Sequence, residues 1–213
     1  MNRRALDPTL YLVTDVDACG ARGVTETVKS AVAGGVTAVQ LRDLRATTRE
    51  LLNTACELRE LLAGTPVCFI VNDRLEVALA AGADGVHLGQ SDLPVEAARE
   101  IAGPRFIIGW SVTNVAEARI AASLPPGTID YIGAGPVFPT PTKADAAPPI
   151  GVDGLRAVCA LSSLACVAIG GITAARTAEL FTTGIAGIAV VAAICAAEDP
   201  RAAAAELREQ SGR

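Results

Sequence analysis

Short apolar runs alternate with alanine-rich helical patterns along all 213 residues, and this alternation constrains the fold more than any other feature. The runs predicted as strands are 10–14, 37–41, 66–71, 85–88, 106–110, 131–137, 165–169 and 185–191. The predicted helices are 24–33, 48–62, 75–81, a segment after Pro94, 115–122, 154–161, 174–182 and 200–210. Eight such strand–helix units are typical of a parallel sheet closed into a barrel.

The predicted strands are mostly continuous apolar runs, as expected for parallel strands that are covered on both faces. We therefore predict one (β/α)8 TIM barrel domain over residues 1–213. The alternative is an open doubly wound sheet. Such a sheet usually carries a glycine fingerprint after its first strand, and the segment Asp15-Val16-Asp17-Ala18 has none.

The net charge of −5 argues against binding of nucleic acid or of anionic membranes. A phosphate-bearing ligand must therefore be held by a local cluster of cations. The six cysteines show no CxxC pair and no Cys/His metal spacing, so we interpret them as buried free thiols in a reducing compartment.

The segment from Met1 to Pro8 has no apolar signal core, and no apolar run approaches the roughly 20 residues that span a bilayer. We expect a cytoplasmic protein. The sequence leaves the oligomeric state open, a homo-oligomer included.

Polar residues and glycines follow most of the predicted strands at their carboxyl ends, where barrels of this kind carry their chemistry. The residues collected from the strand ends, including the apolar end of the eighth strand, are Gln40, Arg42, Asn72, Asp73, Asp92, Ser111, Thr113, Thr140, Thr142, Lys143, Gly170, Gly171, Val191 and Ala192. Amides, hydroxyls, cations and glycine-rich loops before helices are groups that hold phosphates. The loops after the seventh and eighth strands match the phosphate cradle of many barrels.

The loop after the sixth strand is stiffened by prolines and presents two hydroxyls and one ammonium, from Thr140, Thr142 and Lys143. This set suits a phosphate-bearing ligand. By itself the Pro-Thr-Pro-Thr stretch favours a plain surface turn, and the other strand-end segments shift the interpretation towards a ligand site.

Asp73 and Asp92 follow neighbouring strands and predict a site for a hard divalent cation, most simply Mg²⁺, that would bridge to phosphate oxygens. The alternatives are a salt bridge to Arg74 or a helix cap for Asp73, and a helix cap for Asp92. The single histidine, His87, lies inside an apolar strand, and we predict a structural role rather than general-base catalysis.

Taken together and in this order, these segments resemble the thiamine phosphate synthase family over nearly the whole chain. The motifs that carry the resemblance are Gln40-Leu41-Arg42-Asp43, Val71-Asn72-Asp73-Arg74, the segment from His87 to Asp92, the segment from Gly135 to Lys143, and Ala168-Ile169-Gly170-Gly171-Ile172. The resemblance implies a barrel that joins hydroxymethylpyrimidine pyrophosphate to thiazole phosphate and releases pyrophosphate, with Mg²⁺ as cofactor.

The resemblance also implies roles for individual residues. Pyrimidine-pyrophosphate contacts would come from Gln40, Arg42, Asn72 and Lys143, and Mg²⁺ ligands from Asp73 and Asp92. Ser111 would lie beside the reacting centre and, with Arg42 and Lys143, act in catalysis. The thiazole phosphate would be held around Thr140, Thr142, Gly171, Val191 and Ala192. The implied chemistry is dissociative: pyrophosphate leaves before the thiazole nitrogen attacks.

Two positions depart from the family pattern. Leu44 stands where the family usually has a lysine, two residues after the arginine, and Ala192 stands where a serine often follows the eighth strand. The second change is mild, because backbone N–H groups can still hold a phosphate. For the first, either Arg45 replaces the missing cation, which requires the chain to have left the strand by Asp43, or the enzyme is slower or altered; we expect replacement by Arg45.

Two other functions remain open. One is the isomerase of the same family, a thiazole tautomerase, which uses a histidine after the fifth strand. Here that region reads Trp110-Ser111-Val112-Thr113, without histidine, and Asp73 and Asp92 are retained, which disfavours the tautomerase. The other is a barrel that binds thiazole phosphate or thiamine phosphate without turnover, which only Leu44 suggests.

Overall fold

The structure is a computed structural model and describes residues 6–140 and 147–212. In these residues eight parallel strands close into a barrel in sequence order, so the predicted (β/α)8 fold is confirmed and an open sheet is excluded. The strands are β1 Leu10–Val13, β2 Ala38–Leu41, β3 Cys68–Asn72, β4 Gly85–Leu88, β5 Ile107–Val112, β6 Tyr131–Ala134, β7 Ala165–Ile169 and β8 Gly187–Val190.

Helices cover the outside of the barrel. They are α1 Val16–Cys19, α2 Val24–Ala33, α3 Thr48–Leu61, α4 Leu75–Ala80, α5 Val95–Ala102, α6 Val115–Ser123, α7 Gly151–Leu161, α8 Ala174–Phe181, α9 Ala192–Cys195 and α10 Pro200–Gln210. The expected start signal of α3 is present, because Thr47 and Glu50 form a capping box. The one-turn helices α1 and α9 were missed, since four residues are too few to show a helical period.

The core has two parts. Residues at alternate positions of the strands, among them Tyr11, Ile70, Tyr131 and Val167, fill the barrel interior. The outward positions pack with the apolar faces of the helices in a larger cluster, in which Leu58 and Leu155 are fully buried. The strands are therefore buried on both faces, as their continuous apolar runs predict.

The cysteines are all free thiols in the described residues, as predicted. Four are buried and Cys159 is partly buried, but Cys56 on α3 is exposed, which corrects the prediction of burial for that residue. Cys56 follows the buried Ala55 in α3, and neighbouring helix positions face in different directions. Within the described residues, no helix combines the length and the apolar character needed to cross a membrane.

Candidate active site

The carboxyl ends of all eight strands lie at one rim of the barrel, because every strand pair is parallel. This arrangement brings the predicted residues of β2, β3, β4, β5, β7 and β8 to one mouth. Ser111 lies within β5 rather than after it, since β5 extends to Val112 by pairing with β6. β6 ends at Ala134, three residues before the predicted end, and Pro136 follows. Thr142 and Lys143 lie outside the described residues.

Asp73 and Asp92 form a close acidic pair at this mouth. Burial, together with the hydrogen bond and the negative charge of Asp92, raises the pKa of Asp73 to about 7. The charge of Arg42 and a hydrogen bond from Asn72 act in the opposite direction. The Gly89 N–H donates to the second carboxylate, with 2.7 Å between N and Asp92 Oδ2. The Asp73 carboxyl group therefore keeps its proton up to about neutral pH.

The backbone at Asp73 is in the left-handed region, with φ of 58°. A residue other than glycine adopts this conformation only where its surroundings enforce it, and such residues cluster at functional sites. Here the Asp73 N–H donates to the His87 carbonyl on β4 at 2.8 Å. This bond ties the turn after β3 to the neighbouring strand and presents the carboxyl group towards Asp92.

The alternative roles of the two aspartates find no support in the structure. Arg74 pairs with Glu76, with 2.6 Å between Nε and Oε1, rather than with Asp73. Arg74 and Pro94 occupy the N-cap positions of α4 and α5, so neither aspartate caps these helices.

The acidic pair fits a Mg²⁺ ion by the chemistry of its donors. Burial and the negative charge of Asp92 both oppose ionisation of Asp73, and a divalent cation that replaces the Asp73 proton would remove this repulsion. The described residues contain no group of three or more His, Cys, Asp or Glu side chains that could hold a metal. A site with two carboxylates suits Mg²⁺, which usually keeps several waters and completes its octahedron with substrate phosphates.

Arg42 lies beside this acidic pair. Its backbone is tied to β1, because the Arg42 N–H donates to Thr14 Oγ1 at 2.9 Å and that hydroxyl donates to the Arg42 carbonyl at 3.3 Å. Its guanidinium is 3.6 Å from Asp15 Oδ2, and only 15% of the side chain is exposed. Arg42 is thus a partly desolvated cation held in place at the mouth.

The loop after Arg42 is irregular, as expected. The Asp43 carboxylate accepts from the N–H groups of Arg45 at 2.9 Å and Ala46 at 3.1 Å, so the chain has left the strand. Leu44 is 65% exposed. The Arg45 guanidinium forms an ion pair with Asp17 on α1, and this hydrogen-bonded partner raises the pKa of Arg45.

A chain of polar side chains crosses the barrel interior beneath the mouth. Gln40 Nε2 donates to Tyr11 Oη at 3.0 Å, and Tyr11 Oη lies 2.9 Å from Tyr131 Oη. His87 Nδ1 lies 3.0 Å from Tyr131 Oη, and His87 Nε2 lies 2.9 Å from Ser111 Oγ. Both nitrogens of His87 therefore have protein partners, which agrees with the predicted structural role.

The loops after β6 and β7 pair with each other beyond the strands. The Val137 N–H donates to the Ile169 carbonyl at 2.8 Å, and the Phe138 N–H to the Gly170 carbonyl at 3.0 Å. Gly171 has φ of 64°, and a Cβ there would lie 2.6 Å from the Pro139 carbonyl oxygen. The tight approach of the two loops thus requires glycine, as expected for this position.

Arg176 on α8 holds these two loops together. Its Nη1 donates to the Gly171 carbonyl at 2.9 Å, and its guanidinium lies 4.3 Å from the centre of the Phe138 ring. Arg176 is not among the site residues predicted from the sequence. Its position shortly after the Gly170-Gly171 turn, at the start of a helix, is the one signal that could have found it.

The remaining predicted residues lie on the same side of the barrel. Asn72 ends β3 and is paired in register with His87, while Thr140 is partly buried at the end of the described part of the β6 loop. Val191 follows β8 and is the N-cap of α9, whose first residue is Ala192. The structure therefore brings together all the predicted site residues that it describes.

The family model described as thiamine monophosphate synthase matches residues 10–194 of this chain. A thiamine-phosphate synthase of Albidiferax ferrireducens is 48% identical over 200 residues, which is 94% of this chain and 90% of the relative. One of a Psychrobacter species is 46% identical over 209 residues, 98% of each chain. The solved structure of a thiamine phosphate pyrophosphorylase from Pyrococcus furiosus superposes with a TM-score of 0.87 at 42% identity, covering 97% of this chain and 96% of that one.

Proposed function

This chain belongs to the thiamine monophosphate synthase family, and we propose that it joins hydroxymethylpyrimidine pyrophosphate to thiazole phosphate, releasing pyrophosphate. It is a transferase of thiamine biosynthesis that acts on small molecules. The observation that carries the proposal in this chain is the Asp73–Asp92 pair beside Arg42, because a leaving pyrophosphate needs metal-assisted and cationic stabilisation.

Asp73 and Asp92 would hold Mg²⁺. Bound there, the ion would neutralise the negative charge that develops on the departing pyrophosphate. Arg42 would add a fixed positive charge from the neighbouring strand end, and its burial strengthens that charge because little water screens it. Asn72 and Lys143 would contact the same pyrophosphate, and Gln40 the pyrimidine.

The thiazole phosphate would lie on the opposite side of the mouth. Gly171, Val191 and Ala192 would offer backbone N–H groups, and Thr140 and Thr142 hydroxyls, to its phosphate oxygens. Ser111 would lie next to the methylene carbon at which the bond forms. The tight packing of the β6 and β7 loops supports a preformed phosphate cradle.

A dissociative reaction suits this site. The thiazole nitrogen that attacks carries no proton, so the reaction needs no general base. His87 is the only histidine in the sequence, and both of its nitrogens already have protein partners. The residues at the mouth therefore act through charge and position rather than through proton transfer.

The test is turnover of the two substrates by the purified protein in the presence of Mg²⁺. Thiamine phosphate and pyrophosphate should form in equal amounts, and Asp73→Ala or Asp92→Ala should lower kcat by about 10²-fold or more, the effect of removing one electrostatic stabiliser. Full turnover in excess chelator would contradict the metal role. Calorimetric binding of thiazole phosphate without any turnover would indicate a binding protein instead.

A tautomerase assay with the precursor of thiazole phosphate tests the alternative that the protein is an isomerase rather than a synthase. The described segment Trp110-Ser111-Val112-Thr113 holds no histidine, so proton abstraction at that position has no base. Isomerisation faster than the synthase reaction would show that the chemistry lies elsewhere.

A further inference from the structure

The hydrogen bonds that link Gln40, Tyr11, Tyr131, His87 and Ser111 beneath the mouth all donate in the same direction, from Gln40 towards Ser111. This follows from counting the hydrogens that each side chain carries. Gln40 donates through Nε2, so Tyr11 Oη is an acceptor towards Gln40. The only hydrogen of the Tyr11 hydroxyl is then left for Tyr131 Oη, 2.9 Å away. Burial raises the pKa of both tyrosines well above the usual value, so both phenols keep their hydrogens.

The direction continues to the other end of the chain. Tyr131 Oη accepts from Tyr11, and its own hydrogen is left for His87 Nδ1 at 3.0 Å. A neutral imidazole that accepts at Nδ1 carries its hydrogen on Nε2. Nε2 then donates to Ser111 Oγ at 2.9 Å. The hydroxyl hydrogen of Ser111 is left for an acceptor outside this row of hydrogen-bonded side chains.

The barrel is shaped to admit this chain of side chains. A Cβ at Gly109 on β5 would overlap the phenol ring of Tyr131, and a Cβ at Gly133 on β6 would lie 3.0 Å from Cε1 of His87. Both glycines face the interior, because the nearest atoms to a Cβ at either position belong to the Tyr131 and His87 rings. The missing side chains therefore leave the space that the two rings occupy.

We propose that Tyr11, Tyr131 and His87 are positioning residues that orient Ser111 as a hydrogen-bond donor towards the substrate, by holding His87 as its Nε2–H tautomer. This rests on the proposed function, in which Ser111 borders the reacting centre. The Ser111 carbonyl is also held, since it accepts from Gln90 Nε2 at 2.6 Å. The serine hydroxyl would then meet an acceptor atom of the pyrimidine substrate without first having to turn.

Nitrogen NMR of the uniformly ¹⁵N-labelled protein tests the tautomer directly, because the sequence contains one histidine. At a pH well above the ordinary histidine pKa of about 6.5, long-range ¹H–¹⁵N spectra should show an unprotonated Nδ1 and a protonated Nε2. The opposite pattern would overturn the proposal. The measurement needs no substrate, so its result stands whatever the turnover assay gives.

Three variants separate orientation from packing. Tyr131→Phe keeps the ring above Gly109 but removes the donor to Nδ1, so the spectrum should shift towards a mixture of tautomers or the Nδ1–H form. Tyr11→Phe removes the link to Gln40 and should also relax the preference. Ser111→Ala is the matched control: it removes the other partner of His87 and should leave Nδ1 unprotonated, because Tyr131 still donates to it. An unchanged tautomer of His87 in Tyr131→Phe would refute the proposed positioning of His87 by Tyr131.

Kinetics supply the functional readout. Tyr131→Phe should lower kcat by about 5- to 10-fold, the worth of one hydrogen bond, with little change in the KM for thiazole phosphate. If the wild-type protein has the Nε2–H tautomer but makes no thiamine phosphate, the proposed function fails, while the proposed positioning of His87 and Ser111 stands. If turnover is normal but His87 is the Nδ1–H tautomer, the proposed positioning fails and the proposed function stands.

Discussion

Leu44 is the residue whose replacement should most improve the proposed reaction. It is 65% exposed in the loop that follows Arg42, and the nearest cation along the chain, Arg45, is already paired with Asp17. Leu44→Lys would place an unpaired ammonium near the leaving group. One such charge should raise kcat/KM for the pyrimidine pyrophosphate by roughly 5- to 150-fold, corresponding to about 1–3 kcal/mol.

Two further variants complete this comparison. Leu44→Gln has a polar side chain of similar length without the charge and should leave kcat/KM near the wild-type value. Arg45→Ala should have a small effect if the ion pair with Asp17 persists when substrate binds. A severe loss of activity in Arg45→Ala, with no gain in Leu44→Lys, would show that Arg45 leaves Asp17 and takes the place of the missing lysine.

Lys143 stays a prediction from the sequence, since it lies outside the described residues. As a contact to the pyrophosphate it should matter for turnover and not for folding. Lys143→Ala should slow turnover by about tenfold or more while leaving the Tm nearly unchanged, and Lys143→Arg should retain part of the rate because it keeps the charge. Early unfolding of Lys143→Ala, with normal turnover of the folded fraction, would assign the lysine a structural role.

Among the elements, the paired loops after β6 and β7 depend on one side chain of α8. Arg176 bonds to the Gly171 carbonyl and covers the Phe138 ring, so it joins both walls of the proposed phosphate cradle. An exposed cation–π contact contributes about 0.5–1 kcal/mol, so Arg176→Ala should raise the KM for thiazole phosphate by about 2- to 5-fold with kcat little changed.

Arg176→Lys separates the effect of the positive charge from that of the stacked guanidinium. It keeps the positive charge but loses the flat guanidinium that stacks on Phe138, so its KM should lie between those of the wild type and Arg176→Ala. If both variants bind thiazole phosphate as tightly as the wild type, the loops hold their arrangement through the backbone bonds alone.

The elements that the sequence predicts well are those whose signals are local. Each strand is an apolar run long enough to be recognised, and the Thr47–Glu50 capping box marks the start of α3. Asp73 and Asp92 could be paired in advance because parallel neighbouring strands end at the same rim. That inference needs only the order of the strands.

The features that sequence reasoning missed depend on which way a side chain faces. Tyr11 and Tyr131 lie in apolar strands whose inner and outer faces are equally buried, so no alternation of polar residues shows which one faces the barrel interior. Their contact spans 120 positions of the chain and is set by barrel closure, a property of the whole sheet. The Arg45–Asp17 ion pair likewise joins the loop after β2 to the one-turn helix α1, and no local pattern relates these two segments.

At the scale of the whole molecule, the acidic pair would couple the proposed metal binding to stability. The pKa of Asp73 rises from 3.8 in the unfolded chain to about 7 in the folded protein, so between these values the folded state binds more protons than the unfolded state. Stability must then fall as pH rises through this range, because deprotonation is easier after unfolding. This contribution is complete below the lower value and is lost above about pH 7.

Mg²⁺ should reverse this trend, since under the proposed metal role it would bind the deprotonated pair in the folded state only. Without metal, the Tm of the wild type should decrease from about pH 4 to about pH 7 relative to that of Asp73→Asn, in which the titrating group is absent. Added Mg²⁺ should raise the wild-type Tm more at about pH 8 than at about pH 5, and should leave Asp73→Asn nearly unaffected at both. Scanning calorimetry with and without the ion measures all of these values. An equal gain at both pH values, or the same gain in the variant, would place the metal away from Asp73 and leave the acidic pair without the role proposed for it.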